Sequence, residues 1–369
     1  MNGKRAAGFA AHYSPYGTIG LSSARSRFES ILTRSWMRRG WLARVLWPAS
    51  LLFQMLTALR RGLYQAGVLQ STRLPVPVII VGNVFVGGTG KTPFTIWLVD
   101  ALRRAGYVPG VISRGYGAQG DAPRRVTSYS RAQEVGDEPL LIARRTHAPV
   151  MVGRSRAATA QELLAAHPGI NVIVSDDGLQ HYALQRDIEI VLFDARGAGN
   201  GWLLPAGPLR ESASRRRDFT VLNAHQVPGN VSGNPVRMRL EGEYAERLSD
   251  RAQRIALHSL QPSQATGSAI ARITAAAGIG SPARFFTMLR AAGLSFDELP
   301  LPDHHDFADH PFDEIQADII LMTEKDAVKC SQIDILKNDP RLWVVPVTAR
   351  IDGALVEQIV EKLRGHPTA

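Results

Sequence analysis

The chain of 369 residues has only one cysteine, Cys330, and so cannot form an internal disulfide. That scarcity favours a reducing compartment over a secreted location. The first 30 residues lack an apolar core followed by a small-residue cleavage site, so no secretory signal is predicted. No run of about 18 uncharged apolar residues occurs either, and no segment is therefore expected to span a bilayer by itself.

Acidic residues are almost absent from the first 75 positions, where eleven Lys or Arg residues accompany a single acid, Glu29. Removing these from the totals of 43 basic and 33 acidic residues leaves 32 of each, so the rest of the chain is electrically balanced. This distribution argues against a uniformly basic surface for nucleic acid. It indicates instead a local anionic partner for the N-terminal part.

The N-terminal part divides into two segments. Residues 1–33 are rich in Gly, Ser, Ala and Arg and are predicted to be a basic, flexible extension. In residues 34–75, apolar side chains recur at helical spacing over 41–63, and Pro48 is expected to end or kink that helix. Two interpretations remain open: a helix packed on the body of the protein, or an amphipathic segment lying on an anionic membrane surface.

From residue 76 onward, predicted strands alternate with predicted helices, which is typical of a parallel sheet covered on both faces. Residues 76–228 are expected to form the core domain, 229–265 a polar linker, and 266–369 a C-terminal α/β domain. The strands are predicted at 76–81, 108–113, 150–152, 172–175, 188–193, 219–222, 270–275, 319–323 and 342–347, and the main helices at 92–105, 282–292 and 354–363.

The most specific motif lies between the first core strand and the first core helix, where a phosphate-binding loop is expected. Its glycines allow backbone N–H groups to converge on phosphate oxygens, and the helix that follows adds its N-terminal dipole. Lys91 is predicted to reach the β- and γ-phosphates of ATP, and the Thr92 hydroxyl to bind Mg²⁺. The predicted nucleotide-binding residues are Phe85, Val86, Gly87, Gly88, Thr89, Gly90, Lys91 and Thr92.

Two positions in this loop depart from known patterns. Phe85 stands where the consensus has glycine, although the remaining glycines keep the turn feasible. Val86 stands where the partitioning ATPases with a variant loop carry an additional lysine, which argues against that class.

Two aspartates follow the predicted strand 172–175. Asp176 is the predicted Mg²⁺ partner, and Asp177 is a second metal ligand or holds a phosphate-bridging water. The alternative is an ordinary Asp-Asp-Gly turn. His181, a few residues later, is interpreted as a structural hydrogen-bonding residue rather than a site residue.

Two further clusters of polar residues suggest chemistry. The segment 136–139 opens a helix with two acids, which is consistent with a site or with ordinary capping of the helix N-terminus. The segment 302–307 contains two acids and two histidines, but no other Cys/His pair has zinc spacing. A carboxylate that accepts a hydroxyl proton with the help of a histidine is what a kinase for an alcohol requires.

Taken in order, eight segments resemble the tetraacyldisaccharide 4'-kinase family, the lipid A kinases of Gram-negative bacteria. They are 81–92, 113–117, 136–139, 175–181, 204–211, 277–286, 302–307 and 323–329. The resemblance implies a P-loop-containing α/β/α sandwich, a second, smaller α/β domain and a short β linker. It also implies transfer of the γ-phosphate of ATP to the 4'-hydroxyl of a tetraacylated glucosamine disaccharide 1-phosphate, forming lipid IVA, with Mg²⁺.

The resemblance assigns roles to individual residues. Asp137 becomes the general base, assisted by His304, while Lys91 acts on the nucleotide. Asp176 becomes the residue that holds the metal ion. Tyr116, Arg210 and Glu211 line the lipid or phosphate side of the substrate site. The implied partners are a lipid disaccharide and the anionic inner-membrane surface, and the implied location is peripheral, on its cytoplasmic face. No nucleic acid and no obligate protein partner are expected.

Two other classes of function compete with this interpretation. A P-loop nucleotide-hydrolysing switch or chaperone would turn over ATP without an acceptor. A membrane-associated scaffold with a vestigial loop would not bind ATP at all, and the intact Lys91, Thr92 and Asp176 argue against it.

Overall fold

The computed structural model describes residues 33–115, 122–261 and 272–365. The predicted extension 1–33, apart from its last residue, and the predicted substrate residue Tyr116 lie outside these ranges. The described chain contains two β-sheets, each covered by helices.

The first sheet has nine strands. They are β1 (Val78–Asn83), β2 (Pro109–Ser113), β3 (Arg124–Val126), β4 (Val150–Val152), β5 (Val172–Asp176), β6 (Ile188–Asp194), β7 (Phe219–Asn223), β8 (Val236–Glu241) and β15 (Thr348–Ile351). Their order is β15-β8-β7-β6-β1-β5-β2-β4-β3, and only the edge strands β15 and β3 are antiparallel to their neighbours. β1, which precedes the glycine-rich loop, is central and buried along its whole length.

The second sheet has six strands. They are β9 (Tyr244–Arg247), β10 (Arg254–Ala256), β11 (Ile273–Ala277), β12 (Asp297–Pro300), β13 (Ile319–Thr323) and β14 (Leu342–Val345). Their order is β10-β9-β14-β13-β11-β12, in which β14, β13, β11 and β12 are parallel.

Helices cover the sheets, and a short 3₁₀ turn (Leu257–Leu260) follows β10. The helices are α1 (Trp41–Gln65), α2 (Lys91–Arg104), α3 (Ala132–Val135), α4 (Asp137–Thr146), α5 (Arg156–Ala166), α6 (Pro282–Ala291), α7 (Glu324–Cys330), α8 (Asp334–Lys337) and α9 (Ala354–Arg364). One core joins α2, α4 and α9 to one face of the first sheet, and another joins α5 to the opposite face. The predicted α/β class with a parallel sheet covered on both sides is therefore confirmed.

The boundaries between the two sheets differ from the predicted ones. The segment 229–265 contains β8, which belongs to the first sheet, and β9 and β10, which belong to the second, rather than an irregular linker. After β14 the chain returns, because β15 pairs with β8 and α9 packs against α2. The last part of 266–369 is thus a component of the first sheet's layers. Periodicity identifies a strand, but it does not say which sheet the strand joins.

The helix α1 also differs from expectation, since it continues through Pro48 for 25 residues. Pro48 has no N–H to donate to the Arg44 carbonyl, and both residues lie on the exposed part of the helix. By length and composition α1 could cross a membrane: an 18-residue window has a mean hydropathy of 1.4 and is only 11% buried. The expectation that no segment is long and apolar enough was too strict, because it counted only uninterrupted uncharged residues.

Candidate active site

The phosphate-binding loop connects β1 to α2 and is braced by the last residue of β1. The Asn83 amide donates to the carbonyls of Phe85 at 2.7 Å and Gly87 at 3.0 Å. Gly87 and Gly90 have φ of +99° and +94°, a left-handed region in which a side chain would be strained. Only glycine therefore allows the loop to turn into the N-terminus of α2, where Lys91 begins the helix.

Lys91 lies over this loop, with its Nζ 3.1 Å from Asn83 Oδ1 and 3.6 Å from Asp177 Oδ1. Phe85, the departure from the consensus, is buried, and the Arg196 guanidinium stacks 4.1 Å from the centre of its ring. Its side chain faces the interior, so any contact between Phe85 and a nucleotide would come from its backbone.

Asp176 ends β5 next to the loop and is completely buried. Its Oδ1 accepts from Thr95 Oγ1 at 3.1 Å, whereas its Oδ2 has no hydrogen-bond partner among the described residues. Burial, together with the nearby negative charges of Glu138 and Asp177, raises the pKa of Asp176 to about 7, although Lys91 opposes the rise. A buried carboxylate with a vacant oxygen is a suitable donor for a cation.

Asp177 has a different environment from its neighbour. Its carboxylate lies 3.3 Å from Arg210 Nη1 and 3.6 Å from Lys91 Nζ. Burial opposes its ionisation, but these two cations outweigh burial and hold the pKa of Asp177 below its usual range. Asp177 is therefore held in its charged form by two cations, whereas burial opposes the charged form of Asp176.

A second pair of groups joins the two halves of the molecule. Asp137 begins α4, as the sequence predicted, and is 5% exposed. His304 lies in the turn after β12, where its backbone N–H donates to the Gly278 carbonyl at 3.2 Å. The two side chains meet with Asp137 Oδ2 3.1 Å from His304 Nδ1, across 167 residues of chain.

The hydrogen bond to Asp137 raises the pKa of His304 above its usual value, despite partial burial. Burial opposes ionisation of Asp137, but the hydrogen bond with His304 and the charges of Lys325, His304 and Lys329 hold the pKa of Asp137 below its usual range. The pair therefore consists of an ionised carboxylate and an imidazole of increased basicity.

A pocket of about 300 Å³ brings Asp137 together with Asp176 and Asp177, whereas His304 and Lys91 are not among its lining residues. It is lined by Ser113, Arg114, Asp137, Glu138, Pro139, Asp176, Asp177, Gln180, His181 and Arg210. The predicted residues Asp137, Asp176, Asp177 and Arg210 thus share one cavity. His181, interpreted from sequence as structural, also lines it; burial, with Arg156 and Arg114, lowers the pKa of His181 to about 4 and keeps it neutral.

Glu211 does not line the pocket, although it was predicted to bind substrate. Its carboxylate is buried and accepts from Arg215 Nη1 at 2.6 Å and Tyr182 Oη at 2.7 Å. The backbone turns between Arg210 and Glu211, so one side chain enters the cavity and the other packs inside the domain.

Sequence reasoning missed several charged residues of the second domain. Lys325 and Lys329 on α7 place their Nζ atoms 3.9 Å and 3.8 Å from Asp137 Oδ2. Arg284 on α6 donates to the Gly88 carbonyl of the phosphate loop at 3.0 Å and pairs with Asp194. The segments 277–286 and 323–329 were noticed in the sequence, but nothing in them indicated which groups they would face.

Residues 42–364 match the family model described as Tetraacyldisaccharide-1-P 4'-kinase. The tetraacyldisaccharide 4'-kinase of Janthinobacterium sp. (strain Marseille) is 63% identical over 350 residues, covering 95% of this chain and 100% of that protein. That of Herminiimonas arsenicoxydans is 61% identical over 357 residues, covering 95% and 99%.

A solved structure gives the same result. The crystal structure of "apo" form LpxK from Aquifex aeolicus in complex with ATP is similar with a TM-score of 0.70 and 29% identity, covering 87% of this chain and 99% of that chain. The chain belongs to the tetraacyldisaccharide 4'-kinase family, is a kinase and has a P-loop kinase fold. The resemblance inferred from the eight segments is confirmed.

Proposed function

We propose that this kinase transfers the γ-phosphate of ATP to the 4'-hydroxyl of a tetraacylated glucosamine disaccharide 1-phosphate, forming lipid IVA. The observation that carries the proposal is the 3.1 Å contact between Asp137 and His304, because Asp137 also lines a pocket together with Asp176 and Asp177. An alcohol is a poor nucleophile at neutral pH and needs a positioned base, whereas a binding scaffold needs none.

The phosphate loop is the proposed site for ATP. The backbone of residues 85–90 and the N-terminus of α2 would hold the phosphates, and Lys91 would neutralise charge on the transferred group. The positions of Asn83 and Asp177 support this role, because together they hold the Lys91 ammonium at the mouth of the loop.

The residues present fit a magnesium ion. The vacant, buried Oδ2 of Asp176 and the Thr92 hydroxyl at the start of α2 would hold it, and Asp177 is a further candidate ligand. When bound, Mg²⁺ neutralises negative charge on the β- and γ-phosphates. Burial makes the charged form of Asp176 costly, and a cation bound to its Oδ2 would compensate that charge.

Asp137 and His304 are the proposed base. Lys325 and Lys329 keep Asp137 ionised, and Asp137 in turn favours protonation of His304. The neutral imidazole can thus accept the hydroxyl proton of the acceptor, and the imidazolium that forms is paired with the Asp137 carboxylate. Because Asp137 lies in the first domain and His304 in the second, the base is complete only where the domains meet.

The lipid end of the substrate is proposed to lie towards α1 and the membrane. Trp41, Val45, Leu52 and Leu59 of α1 are each more than half exposed, and arginines flank the apolar stretch. Such a helix suits a peripheral contact with anionic lipid on the cytoplasmic face of the inner membrane. Arg210 remains the proposed contact for the substrate's phosphate or sugar, and Tyr116 stays a prediction.

The test is a transfer assay with radiolabelled ATP and the disaccharide lipid, using the full chain. Asp137→Ala and His304→Ala should each lower kcat by about 10²–10⁴-fold and change the KM for ATP little. The double variant should be far less impaired than the product of the single effects, because the two groups act as a unit. Asp313→Ala, an exposed acid beyond the same turn, is the control.

Two results would count against this assignment. Multiplicative single effects would mean that Asp137 and His304 act separately. A lowered Tm with unchanged kcat in the folded fraction would mean that they only hold a turn and a helix end together. ATP turnover by the wild type without any acceptor lipid, at the rate seen with lipid, would favour a nucleotide-hydrolysing switch.

A further inference from the structure

The helix α7 and the residue before it face the proposed base with an unusual density of charge. Thr323 caps the helix, accepting from the Asp326 N–H at 3.2 Å and donating to Asp326 Oδ2 at 2.6 Å. Lys325 and Lys329 are four residues apart and therefore lie on the same face of the helix. That face points at α4, whose first residue is Asp137.

Both ammonium groups approach one carboxylate oxygen. Asp137 Oδ2 lies 3.9 Å from Lys325 Nζ, 3.8 Å from Lys329 Nζ and 3.1 Å from His304 Nδ1. Lys325 also pairs with Glu138 at 3.0 Å. Lys329 is 8% exposed, and its Nζ donates no hydrogen bond to any residue that the structure describes.

The other member of the pair is anchored to the same helix. Asp326 Oδ2 accepts from the Gly278 N–H at 3.0 Å, and the Gly278 carbonyl accepts from the His304 N–H at 3.2 Å. One short helix thus places cations beside Asp137 and fixes the turn that presents His304.

Other contacts also join the two domains at this helix. Glu324, on the same helix, receives Arg145 Nη1 of α4 at 2.6 Å. Gln332 accepts from the Ala132 N–H at 3.1 Å and donates to the Ser130 carbonyl at 3.1 Å. Since these contacts already join the second domain to α3 and α4, the half-buried Lys325 and the buried Lys329 call for another explanation.

We propose that Lys325 and Lys329 are positioning residues, which keep Asp137 ionised and directed at His304 so that the base forms only when the second domain lies against the first. This inference rests on the proposed role of Asp137 and His304 in deprotonating the acceptor. Neither lysine lines the pocket, so both act through Asp137.

The charges around Asp137 determine how the base responds to pH. Those facing it are Glu138 from its own helix, Asp303 and His304 from the turn, and Lys325, Asp326 and Lys329 from α7. Lys325 and Lys329 lower the pKa of Asp137, and Lys325 also lowers the pKa of His304. Removing either cation strengthens proton binding by the pair. Protonation therefore inactivates the base at a higher pH than in the wild type.

The experiment compares pH profiles of kcat/KM for Lys325→Met, Lys329→Met and the wild type, with saturating ATP and the disaccharide lipid. Each variant should move the acid limb to higher pH by about one unit, the lower end of the effect of an opposite charge within 4–6 Å. Activity on the acid side of the profile should fall by up to about tenfold and recover at higher pH, with the KM for ATP little changed. Lys325→Arg and Lys329→Arg should restore the limb, and Lys337→Met, on exposed α8, should leave it in place.

The outcomes separate this inference from the proposed function. If Asp137→Ala abolishes transfer but the acid limb of the folded lysine variants stays at the wild-type pH, the lysines only support the interface and the inference fails alone. If Asp137→Ala keeps its activity, the base itself is wrong. Should Lys329→Met fail to fold, Lys325→Met and the milder Lys325→Gln decide, and an unshifted limb in both overturns the proposal.

Discussion

Replacing Asp176 by asparagine is expected to stabilise the nucleotide-free protein while disabling it. The carboxyl is completely buried, and its pKa is raised from an ordinary 3.8 to about 7, first by burial and then by Glu138. That difference corresponds to about 4 kcal/mol of cost for keeping the group ionised in the folded state. Asparagine removes this cost, but its buried NH₂ group lacks an acceptor. That unsatisfied donor lowers the free energy of unfolding by about 1–3 kcal/mol.

The sign of the effect depends on pH in a defined way. Because the pKa of Asp176 is raised by folding, the unfolded chain loses its proton first as pH rises above 3.8. The free energy of unfolding of the wild type therefore falls as the pH rises from about 4 to about 7, and it does not recover above pH 7. Asp176→Asn does not titrate, so its advantage over the wild type should be absent at pH 4.5 and about 1–3 kcal/mol at pH 8.

The assay is thermal and urea unfolding of the full chain at pH 4.5 and pH 8, with and without Mg²⁺ and ATP. At pH 8 the Asn variant should unfold at a Tm about 1–4 °C above the wild type, and it should gain less from Mg²⁺ and ATP. Its transfer activity should require more Mg²⁺ or vanish.

Asp177→Asn is the matched control, because that carboxylate is paired with Arg210 and Lys91 and its pKa is lowered. It should destabilise the protein at pH 8, opposite in sign to Asp176→Asn. A lower Tm for Asp176→Asn at both pH values would refute the reasoning, and an unchanged magnesium titration would move the metal anchor away from Asp176.

Three further changes test other parts of the structure. Lys91→Ala should lower kcat by about 10²–10³-fold with the fold intact, since it removes charge stabilisation from the transferred phosphoryl group, and activity within tenfold of wild type would contradict the phosphate-loop assignment. The double change Leu52→Glu/Leu59→Glu on exposed α1 should reduce sedimentation with anionic phospholipid vesicles at unchanged Tm. The control Gln54→Glu should sediment like the wild type. Equal sedimentation of all three proteins would favour a helix that only packs on the body of the protein. Arg145→Ala should destabilise by about 3–5 kcal/mol in urea unfolding, because it leaves the largely buried Glu324 without its cation, and a change under 1 kcal/mol would show that the pair is dispensable.

Local chemistry in the sequence was sufficient to predict much of the first domain. The phosphate loop is contiguous, so strand, glycines, lysine and helix could be read together, and β5 leads directly into Asp176. The opening of α4 at Asp137 was also foreseen from the acids and the proline that follow Gly136.

The remaining features depend on contacts between distant parts of the chain. β15 pairs with β8 more than a hundred residues earlier, and nothing in its own four residues indicates that pairing. In the sequence, Lys325 and Lys329 look like ordinary charged residues of a short helix, and only the fold shows that they lie next to Asp137. Glu211 illustrates the reverse error, because its neighbour Arg210 enters the pocket while Glu211 binds Arg215 inside the domain.

The packing of α1 links the proposed membrane contact to the pocket through one loop. Ser50 of α1 donates to the Leu203 carbonyl at 2.8 Å, and Trp36, just before the helix, donates to the Pro205 carbonyl at 2.9 Å. The far end of the same loop pairs with the phosphate loop, where the Arg210 N–H donates to the Val84 carbonyl at 2.7 Å. If α1 lies on the bilayer, this loop has the membrane-facing helix on one side and the phosphate-binding backbone on the other. A lipid headgroup could then reach the Arg210 side of the pocket while its acyl chains stay in the leaflet, so the enzyme would not need a cavity large enough to enclose the chains.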